Sequence, residues 1–323
     1  MFWTGELIAR SAPVRRRLTG EPPLSPPLSP LLERATAAYL GLAIGDALGA
    51  TVEFMTPSEI RQQYGVHRDI VGGGWLRLKA GQVTDDTTMS LALGDAILAH
   101  GRVDAKAAAD AFDAWMRAKP VDIGNTIRRN LITYRKTGNP EAPPSEHDAG
   151  NGAAMRVLPV ALATYGQAED AVRVANAAQA HTTHHNALSD AACEVLILMV
   201  QDFLAGKAAA TVERERVAPF IERFPVFAYD RKRRDNPSGF VVETLQAVLQ
   251  AFFATDNFED CLIDVINRGG DADTTGAIAG MLAGARYGLA AIPRRWRNDL
   301  DGTIHQRCRD QAQGLIGVSK ADF

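Results

Sequence analysis

The sequence is poor in cysteine. Cys193, Cys261 and Cys308 are the three in 323 residues, and their odd number and wide spacing exclude a disulfide framework or a CxxC metal knuckle. A reducing, cytoplasmic setting is the expectation. Long apolar runs are lacking as well: none approaches the roughly 20 residues that a membrane span requires. Arg15, Arg16 and Arg17 are not followed by an apolar segment, so the N-terminus does not read as a signal peptide. Neither sign of charge dominates. Lys and Arg total 35 against 38 Asp and Glu, a formal net charge of −3, which argues against a nucleic-acid partner held by bulk basic charge. Strand signals are scarce; the best hairpin candidate is 69–79, with Ile70, Val71, Trp75, Leu76 and Leu78. No βαβ alternation or fixed-period repeat occurs. No Walker lysine, GxSxG or HExxH is found either, so nucleotide triphosphatase, serine-hydrolase and zincin chemistry have no support.

What is present is ordinary for a globular chain, 46% hydrophobic and 23% charged, enough to bury a sizeable core. Six of the 16 prolines fall within residues 1–32, a density that blocks helix and sheet ladders and reads as an extended, flexible arm. From residue 33 to 323 the texture is alanine-rich and helical. Tyr39, Leu40, Ala43, Ile44, Ala47 and Leu48 recur at helical spacing over 33–48. Thr84 is placed to cap a helix over 85–100 that ends before Gly101. Further helices are predicted near 104–118, 124–136, 151–165, 168–180, 186–205, 211–223, 238–255, 258–267 and 273–287. The expected fold is all-α, a single compact helical domain over 33–323.

Most acids lie on alternately charged helix faces such as 213–216, and read as solvated surface. Four clusters do not. Thr84, Asp85 and Asp86 sit at a predicted helix start, and Asp271, Asp273 and Thr274 follow Gly269 and Gly270 at another. Each alone also fits a plain capped helix, whose dipole favours acids in the first turn. Two alike exceed what capping requires. Convergence of the two would gather carboxylates that repel unless protons or cations compensate. All-oxygen donors suit hard ions, Mg²⁺, Mn²⁺ or Ca²⁺, and two ions about 3.5–4 Å apart are the natural arrangement. An EF-hand is excluded because its later Gly and Glu are missing at their spacing. The third cluster is 45–54, where Glu53 follows an apolar helix and Asp46 reads as a buried hydrogen-bonding residue. The fourth is 147–156, where Asp148, Gly150, Asn151 and Gly152 precede a predicted helix suited to phosphate. At 181–186 three histidines cluster without the partners of a zinc site; one of them contacts substrate or caps the next helix.

In their order, the motifs at 41–50 with Glu53, 84–87, 150–156, Thr183-His184 and 269–276 resemble the ADP-ribosylglycohydrolase family. Within it they are most similar to the bacterial dinitrogenase-reductase-activating glycohydrolases. The resemblance covers about residues 35–290 and implies an all-α fold with a binuclear Mn²⁺ or Mg²⁺ centre between helices. It implies that Thr84, Asp85, Asp86, Asp271, Asp273 and Thr274 hold two divalent cations. It places Glu53 near the ribose, residues 148–152 on the diphosphate and distal ribose, His184 on substrate and Asp122 at the scissile end; Gly269 and Gly270 belong to the same motif. The implied reaction is hydrolysis of the N-glycosidic bond between ADP-ribose and an arginine, with Glu53, Asp85 or Asp273 as acid or base. The implied partners are the nitrogenase iron protein as substrate and a PII-type signalling protein controlling access. Competing readings are another ADP-ribose linkage (serine, polymer or acyl ester) and a non-catalytic ADP-ribose-binding protein.

Overall fold

The structure, a computed structural model, describes residues 28–230 and 232–321. In chain order its helices are α1 (Pro30–Gly49), α2 (Pro57–Tyr64), α3 (Asp85–His100), α4 (Ala105–Arg117) and α5 (Asn125–Thr137). There follow α6 (Leu158–Ala163), α7 (Glu169–Ala180), α8 (Ala187–Leu204), α9 (Ala209–Val212) and α10 (Ala218–Arg223). The last five are α11 (Val241–Ala254), α12 (Phe258–Ile266), α13 (Ala272–Tyr287), α14 (Arg294–Asp299) and α15 (Gly302–Ala321). The fold is all-α, 66% helical and a single compact domain, with no strand among the described residues.

Two helices buried on every side form its axis. Every residue of α1 over 35–49 and of α13 over 272–285 is buried, the pattern of a helix enclosed by protein. Small residues bring the two backbones together. A Cβ added at Gly41 would stand 2.1 Å from Gly280 O, one at Gly45 2.0 Å from Gly276 O, and one at Gly49 2.2 Å from Ala272 O. Ascending numbers on α1 meet descending numbers on α13, so the pair is antiparallel. The C-terminal end of α1 therefore lies beside the N-terminal end of α13. Helices α3, α8, α11, α12 and α15 pack around this axis. Leu40, Leu42, Ile44 and Leu48 are at most 1% exposed, each worth about 1.5–3 kcal/mol of burial.

Several local expectations change. The Pro-rich arm falls mainly on residues 1–27, outside the described residues; at its end Ser29 accepts from Leu32 N and Pro30 opens α1. The helix expected over 151–165 is a 3₁₀ turn, Ala154–Arg156, followed by short α6, because Pro159 cannot continue a ladder from the preceding turn. The stretch 211–223 contains a π turn, Glu213–Val217, ahead of Pro219. Asn186, not a histidine, caps α8, accepting from Leu188 N and Ser189 N. The hairpin region reduces to one bridge, with Gly73 N donating to Leu78 O at 2.8 Å and Leu78 N to Gly73 O at 2.9 Å. Helices α2, α14 and α15 were not anticipated.

Candidate active site in an acidic cleft

The site begins with Asp46, on the last turn of α1. Its carboxylate accepts from Thr84 N (3.0 Å), Thr84 Oγ1 (2.9 Å), Thr87 N (3.1 Å) and Thr87 Oγ1 (2.5 Å). These four donors fasten the start of α3 to α1. They also alter the role of Thr84, whose hydroxyl is directed to Asp46 and makes no capping bond to its own helix. The antiparallel α1–α13 seam delivers Asp271, Asp273 and Thr274 to the same place. Thr84 Oγ1 then lies 3.2 Å from Asp86 Oδ2 and 3.4 Å from Asp273 Oδ2, and Thr274 Oγ1 lies 3.3 Å from Asp86 Oδ2. The two acidic motifs do converge.

Two sets of carboxylate oxygens lie within 4.8 Å of one another: Asp46, Asp86 and Asp273, and Glu53, Asp271 and Asp273. Asp273 belongs to both. Asp85 is in neither set but lines the adjoining cleft of about 730 Å³ with Glu53, Asp122, Asp271, Asp273 and Thr274. None of these acids has a Lys or Arg ion-pair partner within 4 Å among the described residues. Burial pushes Glu53 up to about 8, helped by Asp271, Asp122 and Asp85 and opposed by the Trp75 hydrogen bond. Burial does the same to Asp85, up to about 8, with Asp122, Asp46 and Asp271 adding to it. Asp86 and Asp273 are driven well above the carboxylate range by burial and by their acidic neighbours. Asp46 rises to about 6 through burial, held down by its four donors. Asp122 is raised by burial and by Asp271, against a hydrogen bond from Ile123 N.

These residues fit divalent cations. One Thr84 hydroxyl proton faces three carboxylates and goes to Asp46 at the shortest distance, leaving its lone pairs toward Asp86 and Asp273. Asp86 Oδ1 is buried without a hydrogen-bond partner, a cost normally met by a partner or an ion. Oxygen donors throughout select hard ions over zinc. A third group, Glu141, His181 and His185, lies on another face. Its imidazoles stack at 3.7 Å and 16°, and each has a protein partner, His181 Nε2 lying 2.9 Å from Asp190 Oδ2 and His185 Nδ1 2.8 Å from Ala142 O.

Gly150, Asn151 and Gly152 form another part of the cleft wall. Asn151 N donates to Gly239 O at 3.0 Å, and Asn151 Nδ2 to Asp271 Oδ2 at 2.6 Å, which couples this wall to the acidic end. His184 also lines the cleft and is 2% exposed. Burial, then Arg156 and Arg129, press its pKa down to about 3, so the ring is neutral. Thr183 Oγ1 accepts from Arg156 Nη2 at 2.7 Å and lies 2.8 Å from His184 Nδ1. With Thr183 Oγ1 accepting from Arg156 and donating to Nδ1, Nε2 would carry the ring proton beside Gly150.

Two expected substrate contacts lie elsewhere. The Asp148 carboxylate is buried against Arg129 and Asn130 and does not line the cleft. Gly269 is absent from the cleft wall too; at φ +70° it lets Met55 O approach to 2.1 Å of where a Cβ would stand. Gly270 does line the cleft, donating to Met55 O at 2.9 Å and accepting from Phe54 N at 2.7 Å. The glycine pair thus holds the Glu53 loop, and protein backbone rather than ligand makes the close approach. Sequence reasoning missed Phe54, Trp75 and residues 236–239, all in the wall. The signal available for Trp75 was a large aromatic directly after three glycines.

Fold and site together define a helical hydrolase with an oxygen-lined acidic cleft. The chain belongs to the ADP-ribosylglycohydrolase family, whose sequence pattern matches residues 27–321. It is 49% identical over 290 residues to the ADP-ribosyl-[dinitrogen reductase] glycohydrolase of Rhodospirillum rubrum, covering 90% of this chain and 98% of that protein. It is 34% identical over 317 residues to the ADP-ribosylarginine hydrolase Tri1 of Serratia proteamaculans, covering 94% of this chain and 84% of that one. A solved structure titled "ADP-ribosylglycohydrolase-related protein complex" matches with a TM-score of 0.81 at 34% identity, covering 90% of this chain and all of that one. Among the described residues no helix is long and apolar enough to cross a membrane.

Proposed function

We propose that this chain is a divalent-metal-dependent hydrolase that cleaves the N-glycosidic bond between ADP-ribose and an arginine of a target protein, with ADP-ribosylated dinitrogenase reductase as the substrate. The observation that carries it is the convergence of Asp46, Asp86, Asp271, Asp273 and Glu53 without a paired cation. Similarity to the Rhodospirillum and Serratia enzymes supports the arginine linkage. Thr84, Asp86, Asp273 and Thr274 would hold one Mn²⁺ or Mg²⁺, and Asp271 and Asp273 the second, with Glu53 and Asp85 beside them at the cleft edge. Bound ions there supply positive charge to the ribose hydroxyls and to an attacking water.

The side chains take the remaining roles. Glu53, held by Trp75 Nε1 at 2.7 Å, is the acid/base group. Cleavage builds oxocarbenium character at the ribose carbon. Asp122 pairs with the departing guanidinium, a planar fork matched to a carboxylate. Residues 150–152 and the neutral His184 ring would meet the diphosphate end, its oxygens accepting from them. The enzyme is incubated with ADP-ribosylated dinitrogenase reductase and Mn²⁺, and loss of the modification is followed. Release of free ADP-ribose is the expected result; an unaltered modification, with turnover of a serine-linked substrate instead, overturns the arginine assignment.

A further inference from the structure

Phe54 and Trp75 are 64% and 53% exposed and lie side by side, ring centroids 5.5 Å apart at 45°. Both border the acidic end of the cleft. Neither position is casual. Phe54 has a left-handed backbone, φ +63°, which bulky residues avoid, and the bond from its N–H to Gly270 O keeps it there. Trp75 follows Gly72, Gly73 and Gly74, all with positive φ, and a Cβ at Gly74 would strike Ala50 O at 2.3 Å. That turn packs directly on the chain leading to Glu53. The fold thus strains one residue and spends three glycines to hold two aromatic faces open at the rim.

The surroundings indicate the occupant. Asp122, which takes no part in the proposed ion sites, lines the same cleft, so one carboxylate is left to meet a cation. Residues 150–152 and His184 add no acid of their own, and Asp271, which Asn151 reaches, belongs to the proposed ion site. A planar cation that stacks on aromatic rings while its edges meet carboxylates is a guanidinium. The same stacking already occurs inside this protein, where the Arg156 guanidinium lies 4.3 Å over the Phe112 ring.

We infer that Phe54 and Trp75 form an aromatic wall that stacks on the guanidinium of the modified arginine and selects that linkage over neutral ones. The inference rests on the proposed arginine-linked reaction. Because the guanidinium is bound before and during cleavage, the wall acts on KM more than on kcat.

The test compares the KM for ADP-ribosyl-arginine with the inhibition constant for free ADP-ribose, which lacks the guanidinium. Phe54→Leu and Trp75→Leu are expected to raise KM about fivefold to tenfold with the ADP-ribose constant unchanged. Trp75→Phe keeps a ring but loses the N–H that reaches Glu53, and its KM should stay within about twofold of the parent. Equal rises in KM and in the ADP-ribose constant would mean that the wall holds the ADP-ribose portion, overturning the inference. So would a Trp75→Phe variant with KM raised as far as Trp75→Leu, since the effect would then run through Glu53. If the parent enzyme releases no ADP-ribose from ADP-ribosyl-arginine, it is the arginine-linked reaction that falls.

Discussion

Stripping divalent ions should leave a protein whose stability falls as pH rises. In the metal-free fold Glu53 and Asp85 each have a pKa of about 8, against about 4 in the unfolded chain. Between those values the folded state binds more protons than the unfolded one. The slope of unfolding free energy with pH is then negative, about 1.4 kcal/mol per pH unit for each extra proton. The two groups share neighbours, so one to two protons is the sensible range. From pH 5 to 7 the loss is about 3–5 kcal/mol, or roughly 5–8 °C in Tm for a chain of this size. Saturating Mn²⁺ should reverse the loss, and more strongly at pH 7 than at pH 5, because binding displaces the protons. Scanning calorimetry of EDTA-treated protein from pH 5 to 8, with and without Mn²⁺, measures this directly. A metal-free Tm that is flat or rises over that range refutes the electrostatic reasoning.

The remaining predictions use the same geometry. Asp86→Asn replaces a buried carboxyl whose Oδ1 lacks a partner and whose ionisation burial and acidic neighbours oppose; at pH 8 the metal-free variant should melt higher than its parent while kcat drops at least about a hundredfold. A variant that melts lower would mean that Asp86 is stabilising without metal. Gly45→Ala drives a methyl to within 2.0 Å of Gly276 O and should cost at least about 2 kcal/mol in denaturant melts. Gly317→Ala, with nothing within 4 Å, should cost nothing. The His184 ring, neutral with its pKa at about 3, should show no imidazole titration between pH 5 and 8 by NMR; a midpoint near 6.5 would contradict the buried Arg156–Thr183–His184 arrangement.

Legibility of this chain in its sequence followed the range of the forces involved. The all-α class and the long helices came through because local periodicity and glycine stops encode them, as at Gly101 with φ +72°. Helix α15 also has a buried stripe, with Cys308, Ala312, Leu315 and Ser319 on one side, but its many charged residues dilute the pattern. Proline and a π turn broke 151–165 and 211–223 in ways that periodicity alone does not register. At the site, the acids stood out because they lacked neighbouring cations in the sequence. The α1–α13 seam that brings them together did not, although glycines at 41, 45 and 49 and at 276, 280 and 284 repeat at matching spacing. The pairing of Asp148 with Arg129 is not legible because the two are distant in the chain. Trp75 and Phe54 belong to the site through loop geometry, which residue type does not disclose.

The central claim is that the converged carboxylates hold divalent ions required for hydrolysis. Enzyme freed of metal with EDTA, desalted, and assayed on ADP-ribosyl-arginine protein with and without added Mn²⁺ tests it most directly. Free ADP-ribose should be released only when Mn²⁺ or Mg²⁺ is returned. Equal turnover without metal would contradict it.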